Sequence, residues 1–265
     1  MRNHKNQTNH LINGEGKFVS NEEELRDAAP GFYEKLFNTD TNWTTFPPLT
    51  VKRKLSPEVA VWLIRPVSVS EVKLAVFQFN PNKVPGSDEY NAHFFQKYWS
   101  VVREDVTAAV QSFFQNGSLL KEVNHTLLTL IPKCHNASSL CEYRPISCCQ
   151  LLYKFISRIL SNGLKQVVGG LTSDNQNAFL SGRSINDCTL LAHELVRDFK
   201  KKTISKICLK VDLQKAFDSI NRSFVYFVMD CVGFPAKWIT WIKECINSPT
   251  FSIMMNGNPN DFFQK

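Results

Sequence analysis

The residues best suited to chemistry lie in the run Lys210-Val211-Asp212-Leu213-Gln214-Lys215-Ala216-Phe217-Asp218-Ser219. From Ser205 to Leu213, apolar Ile207, Leu209, Val211 and Leu213 alternate with Cys208, Lys210 and Asp212. This period of two predicts a β-strand with one apolar face turned inward. Asp212 would then stand on the polar face at the strand end, just before a helix. There its carboxylate could serve as an oxygen ligand to a hard cation such as Mg²⁺. The same pattern also fits an aspartate that caps the next helix. Lys210 shares the strand face of Asp212. Arg197, Lys200, Lys201, Lys202, Lys206, Lys210 and Lys215 are opposed in this stretch by Asp198 and Asp212 alone, a cluster that would draw a phosphate backbone. For Lys200 to Lys202 the favourable place of cations near a helix C-terminus explains the charge equally well.

Several elements must position these groups. Residues up to about Phe18 are polar and predict little order. Asn21 to Phe37 reads as a helix, acidic at its start, carrying Leu25, Phe32, Leu36 and Phe37, and interrupted at Pro30-Gly31. Ser56-Pro57-Glu58 opens a short helix and Ser70-Glu71-Val72 another. Residues 39–50 and the turn-rich stretch Asn80 to Asp88 are loops. Helices follow at 92–99 and 101–116, the second stopped by Asn116-Gly117. His125 to Pro132 suits a strand, and Leu151 to Leu164 a helix. Ser184 with Asp187 resembles a capping box, ahead of a helix with Ile185, Cys188, Leu191, Ala192, Leu195 and Phe199 on one face. Asn221 to Val232 is a helix stopped by Gly233; Thr250 to Met255 is a strand leading into an Asn256-Gly257 hairpin turn. The fold class is mixed, α/β (α+β).

At 265 residues and 43% hydrophobic, the chain can bury the core of one large domain or two small ones. A net charge of +7 fits a nucleic-acid partner without being specific to one. Eight cysteines include no CxxC pair, and Cys134, His135, Cys141 and Cys148 match no usual zinc spacing. Reduced, mostly buried thiols are expected. The polar N-terminus lacks a signal-type apolar region, and no apolar run approaches the ~18 residues that span a bilayer, so a soluble intracellular protein without a membrane partner is expected.

Read in order, the blocks are Pro85-Gly86-Ser87-Asp88, Leu130-Ile131-Pro132-Lys133, Tyr143-Arg144-Pro145-Ile146-Ser147, Gln176-Asn177-Ala178-Phe179-Leu180-Ser181-Gly182-Arg183-Ser184, Asp212 to Asp218, and Gly233-Phe234-Pro235. This series resembles the reverse transcriptases of plant LINE-type (non-LTR) retrotransposons, from about Phe32 to the C-terminus. The resemblance implies a right-hand polymerase fold and an RNA-directed DNA polymerase, with an RNA template, a DNA primer, dNTP and Mg²⁺. It implies that Asp212 is the first catalytic aspartate and that the carbonyl of Leu213 ligates one ion. Lys133 and Arg144 would hold the triphosphate. Phe217 would exclude a ribose 2′-oxygen. Gln176, Gly182 and Arg183 would lie near the template strand, Gly182 permitting close backbone approach and Arg183 contacting template or incoming nucleotide; Lys210, on the strand face of Asp212, would join them at the nucleic acid. Where the family has Pro-Asp-Gly, this chain has Ser87-Asp88-Glu89.

The family's aromatic-x-Asp-Asp hairpin and its Gly-x-x-Gln-Gly-Asp-Pro block are not found in the sequence. The expectation is therefore an incomplete hand: a connector over 1–80, fingers over 81–200 and the beginning of a palm over 201–265. It would be inactive alone, marginally stable and aggregation-prone, with an open edge at the strand ending in Asp212. The other reading is a non-catalytic relic that binds RNA or an RNA–DNA hybrid.

Overall fold

The computed structural model describes residues 11–12, 18–19, 22–37, 45–134, 137–197, 199, 207–212, 220–255, 258–259 and 262–264. Its helices are α1 (Glu22–Phe37), α2 (Pro57–Leu63), α3 (Val69–Phe77), α4 (Ala92–Lys97), α5 (Trp99–Asn116), α6 (Leu151–Leu171), α7 (Ile185–Arg197), α8 (Arg222–Cys231) and α9 (Ala236–Asn247). Its strands are β1 (Leu11–Ile12), β2 (Phe18–Val19), β3 (His125–Pro132), β4 (Tyr143–Cys149), β5 (Thr250–Met255), β6 (Asn258–Pro259) and β7 (Phe263–Gln264). The mixed helix-and-sheet class expected from the sequence is the one observed.

The helical layer forms where start signals and apolar stripes coincide along the chain. Ser56 caps α2 by accepting from the Val59 amide, with Pro57 at the first helical position, where its missing N–H is harmless. Ser68 opens α3 with a complete capping box to Glu71, two residues before the start read from sequence. α6 buries Leu151, Phe155, Ile156, Leu160 and Val167, a helical spacing. That stripe shares one core with Leu63 of α2, Val72 and Val76 of α3, Val110 and Phe113 of α5, and Trp238 and Trp241 of α9. Burial of Phe155 at 0% exposure contributes about 1.5–3 kcal/mol. α9 escaped the sequence reading altogether, although it buries Trp238, Ile239, Trp241 and Cys245.

The second layer is a sheet in the order β4-β3-β5-β6, with β7 also on β5. β3 and β4 pair antiparallel; β3 and β5 pair parallel. The ladder Met255↔Asn258 brackets Asn256-Gly257, which themselves lie outside the described residues. Beneath the sheet Leu128, Tyr143, Ile253 and Phe263 form a second core with Ala29 and Tyr33 of α1. α1 runs unbroken through Pro30, against expectation. Proline removes one backbone bond from a helix, and burial of the flanking Ala29 and Tyr33, at 0% and 1% exposure, offsets that loss.

The strand expected to end at Asp212 is not seen. No strand forms over residues 207–212; these are irregular and exposed, with Ile207 at 95%, Leu209 at 83% and Val211 at 70%. α7 forms as expected but buries none of its residues. In each case the apolar side lacks a partner element among the described residues. The thiols are free as expected, yet only Cys245 is buried, while Cys134, Cys141, Cys188 and Cys208 are exposed on the hairpin end, α7 and the 207–212 segment.

Candidate active site

Lys133 and Arg144 are brought together by the β3–β4 hairpin. Ile131 pairs with Arg144 in the ladder, so both side chains take the same face. Lys133 lies two residues beyond Ile131 and extends the ladder by a 2.8 Å bond from its amide to the Glu142 carbonyl. Alternation then places Lys133 and Arg144 as diagonal neighbours on one face, both exposed, as the outward Ile131 and Ile146 also are. Among the described residues β4 pairs with β3 alone, so Pro145 sits on an edge strand, where a missing N–H does no harm. The hairpin end is fixed by Glu142, whose carboxylate accepts from the Ser138 and Ser139 amides at 2.8 and 3.2 Å. Those two bonds hold its pKa below the usual value, with Lys133 adding a smaller effect. The Lys133 ammonium donates to the Cys141 carbonyl at 2.6 Å, a contact that a triphosphate oxygen would have to replace.

Gln176, Gly182 and Arg183 lie in one loop between α6 and α7, the 172–184 loop. The Arg183 guanidinium donates to the carbonyls of Ser173 at 2.6 Å, Gln176 at 2.5 Å and Gly169 at 3.2 Å. Arg183 thus gathers the start of its own loop. Gln176 bonds the Ala178 carbonyl at 3.1 Å. Gly182 has φ +81, and a Cβ there would meet open space. Its left-handed conformation by itself calls for glycine. Phe179 takes φ 66 in the same loop and is 91% exposed.

Sequence reasoning missed a partner of this loop. Arg53 donates in a bidentate pair to Asp174, at 3.2 and 2.8 Å, and to the Thr172 carbonyl at 2.5 Å. Asp174 also lies 3.9 Å from Arg183. Its pKa is lowered, chiefly by the Arg53 hydrogen bond and charge. The only sequence signal was the run Lys52-Arg53-Lys54.

Asp212 and Lys210 lie on the exposed 207–212 segment, without the strand expected to aim them. Leu213 and Phe217 lie outside the described residues. Among the described residues no group of three His, Cys, Asp or Glu side chains could hold a metal ion. The Pro85–Asp88 turn docks on the junction of β4 and α6: a Cβ on Gly86 would stand 2.7 Å from the Cys149 carbonyl carbon and the Gln150 nitrogen. Ser87 accepts from Gln150 at 3.2 Å. Burial raises the Asp88 pKa, partly countered by the Tyr90 amide. Glu89, in the family's glycine position, has φ 61. A cavity of about 200 Å³ between the helices, with Trp62, Glu71 and Trp238 in its wall, includes none of the predicted site residues.

No described helix is long and apolar enough to cross a membrane. Residues 131–265, just over half of the chain, match the family "Reverse transcriptase (RNA-dependent DNA polymerase)". The chain is 25% identical over 254 residues to the "Transposon TX1 uncharacterized 149 kDa protein" of Xenopus laevis, covering 93% of this chain and 19% of that protein. It is 24% identical over 190 residues to the "Retrovirus-related Pol polyprotein from type-1 retrotransposable element R2" of Popillia japonica, covering 71% and 26% respectively. A type-2 element polyprotein, R2DM of Drosophila melanogaster, is 22% identical over 56% of the chain and 14% of its own length. The chain spans about a fifth of the first of these relatives and about a quarter of the second. By its matched residues and these relatives, the chain belongs to the reverse transcriptase family, of the non-LTR retrotransposon type.

Proposed function

We propose that this chain supplies the nucleotide-binding face of an RNA-directed DNA polymerase, with Lys133 and Arg144 gripping the triphosphate of an incoming dNTP. The observation that carries the reading is the β3–β4 register, which puts both cations, each within the matched residues, on one exposed face of a hairpin. Lysine offers a point charge and arginine a planar fork, and together they suit a polyphosphate. In this reading residues 81–200 act as fingers and 201–265 as the start of a palm, with 1–80 as the connector. The boundary at 80 is one of roles, because α2 and α3 share the helical core with α5 and α6. The order of the sequence blocks favours the plant LINE-type branch.

Reverse transcriptases use divalent metal ions, and Mg²⁺ is the ion this reading assigns. Asp212 is an exposed oxygen donor, and the Leu213 carbonyl would be a second. Such a pair suits an ion that arrives on triphosphate oxygens, since Mg²⁺ is commonly held by one or two carboxylates plus substrate phosphates. When bound, the ion would neutralise the triphosphate and activate the primer hydroxyl. This chain's own residues hold the phosphates, and Phe217 excludes a 2′-hydroxyl. Gln176, Gly182, Arg183 and Lys210 lie along the template side.

The test is dNTP binding in the presence of Mg²⁺, followed by equilibrium titration. Lys133→Ala and Arg144→Ala should each weaken binding about tenfold or more. Unchanged affinity in both variants would sink the proposal. A second reading, hybrid binding without catalysis, rests on the same exposed cations, which suit a nucleic-acid backbone as well as a triphosphate. Primer extension that disappears in Asp212→Ala would eliminate it.

A further inference from the structure

The segment 45–56 precedes the matched region, yet it is tied into the domain at separate points along its length. Phe46 lies 5.2 Å from Phe227 in a stacked arrangement and 5.4 Å from Phe224, both on α8. The Leu55 amide donates to the Val232 carbonyl at 2.9 Å, at the end of α8. Between these anchors Arg53 reaches the Asp174 carboxylate with both arms of its fork and the Thr172 carbonyl with one of them. We infer that Arg53 is a positioning residue for the 172–184 loop, acting through Asp174, and that segment 45–56 is a brace for the template side of the domain.

The physical case rests on what the loop needs. It holds Phe179 at φ 66 and Gly182 at φ +81. A left-handed phenylalanine persists only where its surroundings fix it. Arg183 supplies part of that constraint from within by gathering the carbonyls of Gly169, Ser173 and Gln176. Two guanidinium groups therefore converge on the start of the loop, and Asp174 pairs with both. Without it, the cations would repel across that point. Arg53 links this hub to α8, so the loop is held from outside as well as within. Both partners are exposed, Arg53 at 41% and Asp174 at 81% of side-chain area, so the effect is modest and weakens with salt.

The functional part rests on the reading of this loop as template-facing, and the experiment separates the two. The full chain and its Arg53→Ala, Arg53→Lys, Asp174→Asn and doubly substituted Arg53→Ala/Asp174→Asn forms are compared. The measurements are amide hydrogen exchange and fluorescence anisotropy with an RNA–DNA hybrid. Arg53→Ala and Asp174→Asn should both speed exchange over residues 173–183 and leave the α5–α6 core unchanged. Both should weaken hybrid binding by about two- to fivefold, and the double variant should be no weaker than either single one. Arg53→Lys should fall between, because an ammonium cannot span both carboxylate oxygens. If Arg53 instead touched a phosphate directly, Asp174→Asn would free it, and binding would hold or tighten. That result, or unaltered exchange over 173–183, overturns the inference. If the unsubstituted chain fails to bind hybrid, the template reading falls, and exchange alone decides whether Arg53 positions the loop.

Discussion

The docking of the Pro85–Asp88 turn gives a substitution whose sign and size follow from distances. Replacing Gly86 by alanine puts a Cβ 2.7 Å from the Cys149 carbonyl carbon, 2.7 Å from the Gln150 nitrogen and 2.8 Å from the Cys149 oxygen. All three are backbone atoms at the β4–α6 junction, so no side chain can swing aside. Relief requires the turn to lift from the sheet or the junction to move, an overpacking strain of about 1–3 kcal/mol. The lost chain entropy of the unfolded state opposes this by about 0.4–1 kcal/mol. The net expectation is a loss of about 1–2 kcal/mol, or about 2–8 °C in Tm for a domain of this size. Gly170→Ala is the matched control. It lies in α6, and a Cβ there meets nothing within 4 Å. The same chemical change should there stabilise by about 0.5–1 kcal/mol. Urea denaturation of both variants, with unchanged slopes, reads the difference directly. Equal midpoints for the two variants would refute the docking of this turn.

Glu89→Gly removes a left-handed non-glycine residue at φ 61 and should stabilise by about 0.5–1 kcal/mol, read as a higher urea midpoint. His125 donates or accepts between Thr250 at 3.2 Å and Ser252 at 3.0 Å, and burial lowers its pKa. The folded protein thus favours neutral His125, so its contribution is whole above about pH 6.5 and is lost as the pH falls below that. The urea midpoint should drop between pH 7.5 and 5.5, and His125→Gln should show a smaller drop. Leu191 and Leu195 are 58% and 60% exposed on α7, so Leu191→Gln with Leu195→Gln should reduce self-association in sedimentation while leaving the melting curve in place.

Much of the fold was legible because it is written in local signals. Caps at Ser56 and Asn221 and the stops at Gly117 and Gly233 are backbone requirements, read without knowledge of neighbours. The β3–β4 hairpin was half legible: β3 was an apolar run, while β4, YRPISCC, was hidden by Pro145 and by the lack of a clean apolar alternation. Its consequence, the shared face of Lys133 and Arg144, depends on register, which only pairing sets. α9 was missed although Trp238, Trp241 and Cys245 have helical spacing, because no side-chain cap marks its start at Pro235. Arg53 could not be found at all: its partner lies 121 residues away, and no period or motif links them.

The strand over 205–213 and the helix over 185–199 were read from the same kind of signal, yet one formed and the other did not. Periodicity says which side of an element is apolar; it does not say whether anything will cover that side. A helix closes its own backbone hydrogen bonds, so α7 can persist with its apolar face, Ile185 at 68% and Leu195 at 60% exposure, in solvent. A strand has no such internal bonds and must borrow them from a neighbour. β3 lies between β4 and β5, and β5 in turn is flanked by β3 on one side and by β6 and β7 on the other. The sheet's other edge, β4, offers Pro145 in place of a donor. Residues 207–212 therefore remain irregular despite their alternation, and Asp212 gains exposure but not aim.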